Sequence, residues 1–142
     1  MRAVGMLLLL VSSLAAADTT PGGKVAVRGD RLELAEPIAF DTGKATIKPA
    51  SQALLDEVAR ALAGNAQIAH LEIGVHTDAR GADDYNLKMS EARAAAIKHY
   101  LVALGVDAKR LEARGYGETR PLCSEPNEAC WARNRRVELL IK

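Results

Sequence analysis

Apolar residues recur along the chain with two periods, and each change of period marks a new element. Leu32 and Leu34 alternate with Arg31, Glu33 and Ala35, the two-residue repeat of a half-buried strand. Pro37 interrupts this strand before Ile38-Ala39-Phe40, because proline cannot donate to a sheet ladder. Asp41-Thr42-Gly43-Lys44 is a turn cluster. From Pro49 to Gly64 the spacing of Leu54, Leu55, Val58, Ala61 and Leu62 lays one apolar face on a helix, with Gly64-Asn65 as its stop signal. Ile68 to Thr77 returns to period two. Leu71, Ile73, Val75 and Thr77 take one face of this strand; His70, Glu72, Gly74, His76 and Asp78 take the other, expected to be polar or wet.

Asp78 to Gly81 reads as a turn, followed by a helical stretch from about Ala82 to Leu104. Ser90 is placed as an internal N-cap that divides the stretch. Ala92, Ala96, Ile97, Tyr100, Leu101 and Leu104 form the expected buried stripe, and Gly105 closes it. Leu111 to Tyr116 is a third strand, residues 117–133 a long loop, and Arg135 to Ile141 a last strand with Val137, Leu139 and Ile141 alternating. The order β, α, β, α, β, β carries no internal repeat. It predicts an α+β fold, a sandwich with helices on one face of a mixed four-stranded sheet.

The first residues change the picture from a domain to an exported domain. Arg2 is followed by an apolar run through Leu7-Leu8-Leu9-Leu10-Val11, then Ser12-Ser13 and Leu14-Ala15-Ala16-Ala17. This is the layout of a secretory signal, with Ala15-x-Ala17 as the cleavage site. The run is about half the roughly 20 apolar residues needed to span a bilayer. No cysteine near the cleavage site offers a lipid acceptor. The division expected is a signal peptide at 1–17, a flexible leader at 18–30, and one domain at 31–142 in the periplasm.

Charge excludes some partners. Arg2 is the only charged side chain of the first 17 residues, and beyond it 18 basic residues face 18 acidic ones. A neutral domain is not drawn to nucleic acid by its overall field. With Phe40, Trp131 and three tyrosines as its aromatics, it also lacks a stacking platform for single strands. Cys123 and Cys130 share one Pro/Glu/Asn-rich segment; in an oxidising compartment they are expected to form a disulfide that staples it.

Candidate chemistry gathers where the central strand ends: His76, Thr77, Asp78, Arg80, Asp83, Asp84 and Asn86. With Ser90 as N-cap, Arg93 would sit in the first turn of a helix, where a cation opposes the dipole. A carboxylate ligand there would meet both the guanidinium and free backbone N–H groups. Asp78 could hold an ammonium on the same ligand, making a receptor for a zwitterion. A mutual Asp78–Arg93 salt bridge joining strand to helix accounts for the same residues, and spacing does not choose between them. His70 and His76 lie about 20 Å apart along a strand and cannot share an ion, so no metal or cofactor is expected. Ser51, Ser90 and Ser124 lack the glycines of a nucleophile elbow, and no Cys–His pairing is suggested, so no catalytic residue is assigned.

The ordered series is more specific than any piece of it. His76-Thr77-Asp78-x-x-Gly81, Asn86-x-x-Met89-Ser90-x-x-Arg93-Ala94, Tyr100-Leu101, Gly105-Val106, Arg110, Gly115-Tyr116-Gly117-Glu118, Pro121 and Asn134-Arg135-Arg136-Val137-Glu138 resemble the OmpA-like peptidoglycan-binding domain. Val75 stands where the family usually has glycine, and Met89 where leucine is common. The resemblance implies a β/α/β/α/β-β sandwich that holds the stem peptide of peptidoglycan non-covalently, without catalysis. It further implies that Asp78 and Arg93 grip the diaminopimelate residue, with Thr77, Asn86, Phe40, Asp41 and Arg136 around them. The alternative is a module that docks another envelope or outer-membrane protein and binds the wall weakly or not at all.

Overall fold

The computed structural model describes residues 23–142. The signal peptide expected at 1–17 and the first part of the leader lie outside the described residues. Five strands form one sheet: β1 (Val25–Arg28), β2 (Arg31–Leu34), β3 (Leu71–His76), β4 (Leu111–Gly117) and β5 (Arg136–Ile141). They run in the order β1-β2-β5-β3-β4. β3 pairs parallel with β4 and antiparallel with β5. The fold class is the expected α+β, with a fifth strand. Val25–Arg28, assigned above to a flexible leader, pairs antiparallel with β2 through a turn at Gly29, and Val25 and Val27 pack against the core. The polar run before it hid this short strand.

Two long helices, α1 (Pro49–Gly64) and α2 (Asp83–Ala103), cover one sheet face. Proline opens α1, where its fixed φ suits the first turn and its missing N–H has no helical partner to lose. At its other end the Arg110 guanidinium donates to the carbonyls of Leu62, Asn65 and Ile68, at 2.8–3.1 Å. This satisfies acceptors that a helix C-terminus leaves open. Leu54, Leu55, Val58 and Leu62 are buried against Leu71, Ile73 and Val75 of β3, Ile97 and Leu101 of α2, and Leu139 of β5.

α2 differs from its expected form in two respects. It is one continuous helix, and Ser90 is not a cap but a fully buried residue in its second turn. The Ser90 hydroxyl donates to the Leu87 carbonyl and accepts from the Gly117 N–H, joining the helix to the end of β4. The buried stripe is Asn86, Ser90, Ala94, Ile97 and Leu101; Ala92 and Leu104 are exposed. Two polar residues whose groups are satisfied internally shift the stripe away from the purely apolar one. Contact with β4 is close: a Cβ on Gly115 would lie 2.2 Å from the Glu91 nitrogen.

The outer face of β3 is polar, as expected, but not wet. Glu72 and His76 are buried. Tyr116 of β4 lies across them, its ring stacked on His76 at 5.0 Å and its hydroxyl donating to the Glu72 carboxylate. Arg120 in turn covers Tyr116, 4.0 Å from its ring centre.

The long loop expected at 117–133 ends in a short helix, α3 (Glu128–Asn134), capped by the Asn127 side chain on the Cys130 N–H. Cys123 and Cys130 form the expected disulfide. Buried Asn134 adds a second staple, accepting from the Leu122 N–H and donating to the Cys123 carbonyl. Among the described residues, no helix is long and apolar enough to cross a membrane.

Candidate functional site: a cleft at the end of β3

The C-terminal end of β3, the start of α2, the loop before α1 and the start of β5 enclose a cleft of about 710 Å³. A register shift between Val75 and His76 against β4 marks this strand end. Such irregularities re-aim side chains where a ladder stops. Asp78, Arg93, Thr77, Asn86, Phe40 and Arg136 all line the cleft. Asp41 contributes differently, through its main-chain carbonyl; its side chain is not among the lining groups.

Asp78 and Arg93 are not bonded to each other, so the mutual salt bridge that spacing allowed is absent. Asp78 opens the turn into α2, and its carboxylate accepts from the Arg80 backbone N–H at 2.9 Å. The Arg80 guanidinium adds two donors, at 3.2 and 2.8 Å, and Arg135 a fourth at 2.9 Å. Burial by itself would raise the Asp78 carboxyl; the hydrogen bonds from Arg80 and Arg135 overcome it and bring its pKa down to about 2. Asn86, buried one turn into α2, donates to the carbonyls of Asp78 and Arg80 and holds the turn closed.

Arg93 is in the middle of α2, not in its first turn, so the helix-terminus argument for an anion does not apply to it. The charge is held another way. Its guanidinium donates to the Lys44 carbonyl at 2.9 Å and reaches the Asp41 carbonyl at 3.5 Å. It lies over the Phe40 ring at 4.9 Å. The loop that supplies these contacts is pinned by an isolated bridge between Phe40 and Ile47 and by the Ser51 hydroxyl, which accepts from the Ala39 N–H. Among the described residues Arg93 has no acidic partner within ion-pair distance. Burial lowers its pKa from the ordinary guanidinium value. A half-buried cation held by carbonyls and a ring, in an open cleft, is suited to an anionic ligand.

The two arginines opening β5 divide the work. Arg136, the one anticipated, donates to the Glu138 carboxylate at 2.7 Å and to the Asn134 and Arg120 carbonyls. Arg135, just before the strand, is the one that reaches Asp78, with its other arm on Glu128 at 2.6 Å. Sequence reasoning missed Arg135 and gave Arg80 no role. Neighbouring residues on a strand alternate in direction, which separates Arg135 from Arg136 but does not say which of them turns toward Asp78.

His76 and Thr77 complete the cleft wall. Among the described residues, neither ring nitrogen of His76 nor the Thr77 hydroxyl has a hydrogen-bond partner. Burial, and then the charge of Arg136, lower the His76 pKa to about 4. It is therefore neutral at neutral pH, and its 3.6 Å approach to Glu138 is not an ion pair there. One group of metal-ligand residue types clusters tightly among the described residues, Cys123, Glu125 and Cys130. Its sulfurs are tied in the disulfide and offer no thiolate.

Residues 39–135, which carry all of this machinery except Ile38 and the β5 end of the cleft, match the OmpA family. The chain belongs to the OmpA family. The peptidoglycan-associated lipoprotein of Pseudomonas aeruginosa is 42% identical over 100 residues, covering 70% of this chain and 58% of that protein. Outer membrane protein A of Bordetella avium is 41% identical over 102 residues, covering 72% of this chain and 52% of that protein. The chain therefore spans little more than half the length of these relatives. Among solved structures, the peptidoglycan-associated lipoprotein of Burkholderia pseudomallei superposes with a TM-score of 0.67 at 35% identity, covering 77% of this chain and 92% of that one. The cell wall anchor of the type VI secretion system of Pseudomonas aeruginosa gives a TM-score of 0.67 at 30% identity, covering 88% and 92%. The fold of this chain thus matches nearly the whole of both solved chains.

Proposed function

We propose that this OmpA-family domain binds peptidoglycan non-covalently in the bacterial envelope, on the periplasmic side, after export by a signal peptide at 1–17. In this reading the ligand is the diaminopimelate residue of the stem peptide. Arg93 receives its free carboxylate, and Asp78 its ammonium. Thr77 offers a buried hydroxyl with no partner among the described residues, Asn86 holds the turn, Phe40 floors the carboxylate end and Arg136 braces the far wall.

The observation that carries the reading is Arg93: a half-buried guanidinium in an open cleft with no acidic partner, facing the wall that bears Asp78. A peptide end bearing one carboxylate and one ammonium matches that pair of charges. The names of the relatives, a peptidoglycan-associated lipoprotein and a cell wall anchor, support the same ligand. Weak single-site binding would suffice, because a polymeric wall presents repeated sites and raises retention through rebinding.

Co-sedimentation with purified sacculi tests the proposal. The wild-type domain is expected to pellet with wall material, and Arg93→Ala and Asp78→Ala to remain in the supernatant with unchanged far-UV circular dichroism. A wild-type domain that stays soluble with intact sacculi would overturn wall binding and leave the docking of an envelope protein as the better account. Normal retention of either folded variant would overturn the assigned roles.

A further inference from the structure

The anchor proposed for the ligand's ammonium is already full. A carboxylate has about four lone-pair sites, and Asp78 receives four donors: the Arg80 N–H and Nε on Oδ1, and one nitrogen each from Arg80 and Arg135 on Oδ2. An incoming ammonium must therefore displace a donor before it can bond. We infer that Arg80 is an internal competitor for the ammonium subsite, a side chain that occupies Asp78 in the empty cleft and swings aside when a ligand ammonium arrives. The inference rests on the wall-binding reading above and names a residue that sets the affinity of that site.

The neighbouring contacts single out Arg80 over Arg135. Arg135 is anchored at both ends of its fork, one arm on Asp78 and the other on Glu128. All of Arg80's side-chain hydrogen bonds go to Asp78, and its side chain is 53% exposed. The turn beneath it does not have to open. Asn86 holds the Arg80 carbonyl at 2.8 Å, and Gly81 takes the positive φ of 87° that lets the chain enter α2. Movement is thus confined to a flexible side chain over a rigid backbone.

The released guanidinium also has a place to rest. It already lies 4.4 Å from the centre of the Trp131 ring, on the helix stapled by the Cys123–Cys130 disulfide. A cation over an indole face keeps part of its stabilisation without a carboxylate. Charge balance favours the exchange. Four arginines line the cleft, Arg80, Arg93, Arg135 and Arg136, against one acid, Asp78. A ligand that brings its own carboxylate to Arg93 compensates for the ammonium it brings to Asp78.

The test measures binding of two soluble tripeptides by titration calorimetry. One ends in diaminopimelate; the other carries 2-aminopimelate, which keeps both carboxylates but lacks the distal amine. Arg80→Ala is expected to bind the diaminopimelate peptide about three- to tenfold more tightly than wild type, the range of a partly exposed charge-assisted contact. Arg80→Lys keeps the charge but loses the fork, and should fall between them. The aminopimelate peptide should gain nothing from either change. Unchanged or weaker binding of the diaminopimelate peptide by Arg80→Ala, while wild type binds it, would overturn the competitor role alone. Equal gains for both peptides would overturn it too, by showing a general charge effect. Failure of wild type to bind either peptide would overturn diaminopimelate as the ligand of this cleft, and this inference with it.

Discussion

Replacing Gly115 by alanine probes the closest approach in the fold. The added Cβ would sit 2.2 Å from the Glu91 nitrogen, 2.6 Å from the Glu91 Cα and 2.6 Å from the Ser90 carbonyl carbon. All three are backbone atoms of α2, so no rotamer change relieves the overlap. Either the helix moves away from β4 by about 1 Å or the strand bends. Overpacking of this kind costs typically 1–3 kcal/mol and sometimes more. Alanine would return about 0.5–1 kcal/mol by restricting the unfolded chain. The clash wins, because it falls on two packed main chains and separates Ser90 from the Gly117 N–H it accepts. A net loss of about 2 kcal/mol is expected, or on the order of 10 °C in Tm for a domain of this size. Urea unfolding followed by circular dichroism reads the loss directly. Sacculus retention should fall as well, since Asn86 and Arg93 ride on the displaced helix. A midpoint within experimental error of wild type would refute the reasoning and require that α2 and β4 can separate freely.

The pH dependence of stability has a predicted sign. The His76 pKa falls from 6.5 to about 4 on folding, so the unfolded chain binds more protons between those values. The stabilisation is complete above about pH 6.5 and is lost as pH falls toward 4, by on the order of 2–3 kcal/mol. His76→Gln should flatten that window, and an unchanged slope would show that other groups dominate it. Asp78 acts at lower pH: the stability from its ion pairs is complete above its ordinary value of 3.8 and is lost as pH falls from there toward about 2. Opening the Cys123–Cys130 ring with reductant or by Cys123→Ser should lower stability by about 2.5 kcal/mol on the chain-entropy account. An unmoved urea midpoint would mean that Asn134 and the Asn127 cap hold the loop by themselves.

Several parts of the fold were legible because they rest on local chemistry. The α1 helix is read correctly from Pro49 to Gly64 because its apolar period, its proline start and its glycine stop agree. The core of β3 follows from strict alternation. The disulfide follows from two cysteines close together in one Pro/Glu/Asn-rich segment. Errors fell where polar residues are buried. Ser90 reads as a helix cap because serine favours caps, yet its hydroxyl is satisfied by Leu87 and Gly117 inside the fold. β1 was missed because four residues after a polar leader carry too short a pattern. α3 was missed because its signal is one cap and one turn.

Local pattern alone fixes the two long helices, four of the five strands, the apolar faces that must meet, and the gathering of Asp78, Asn86 and Arg93 around one strand end. These are consequences of periodicity and spacing, which any local window contains. Which charges are spent on one another depends on long-range packing. Arg135 lies 57 residues from Asp78 and reaches it because β5 pairs beside β3. Arg93 has no carboxylate partner among the described residues because the loop before α1 offers it carbonyls and a ring instead. Partners so far apart in the chain are chosen by how the sheet closes, and that is not written in any one stretch of residues.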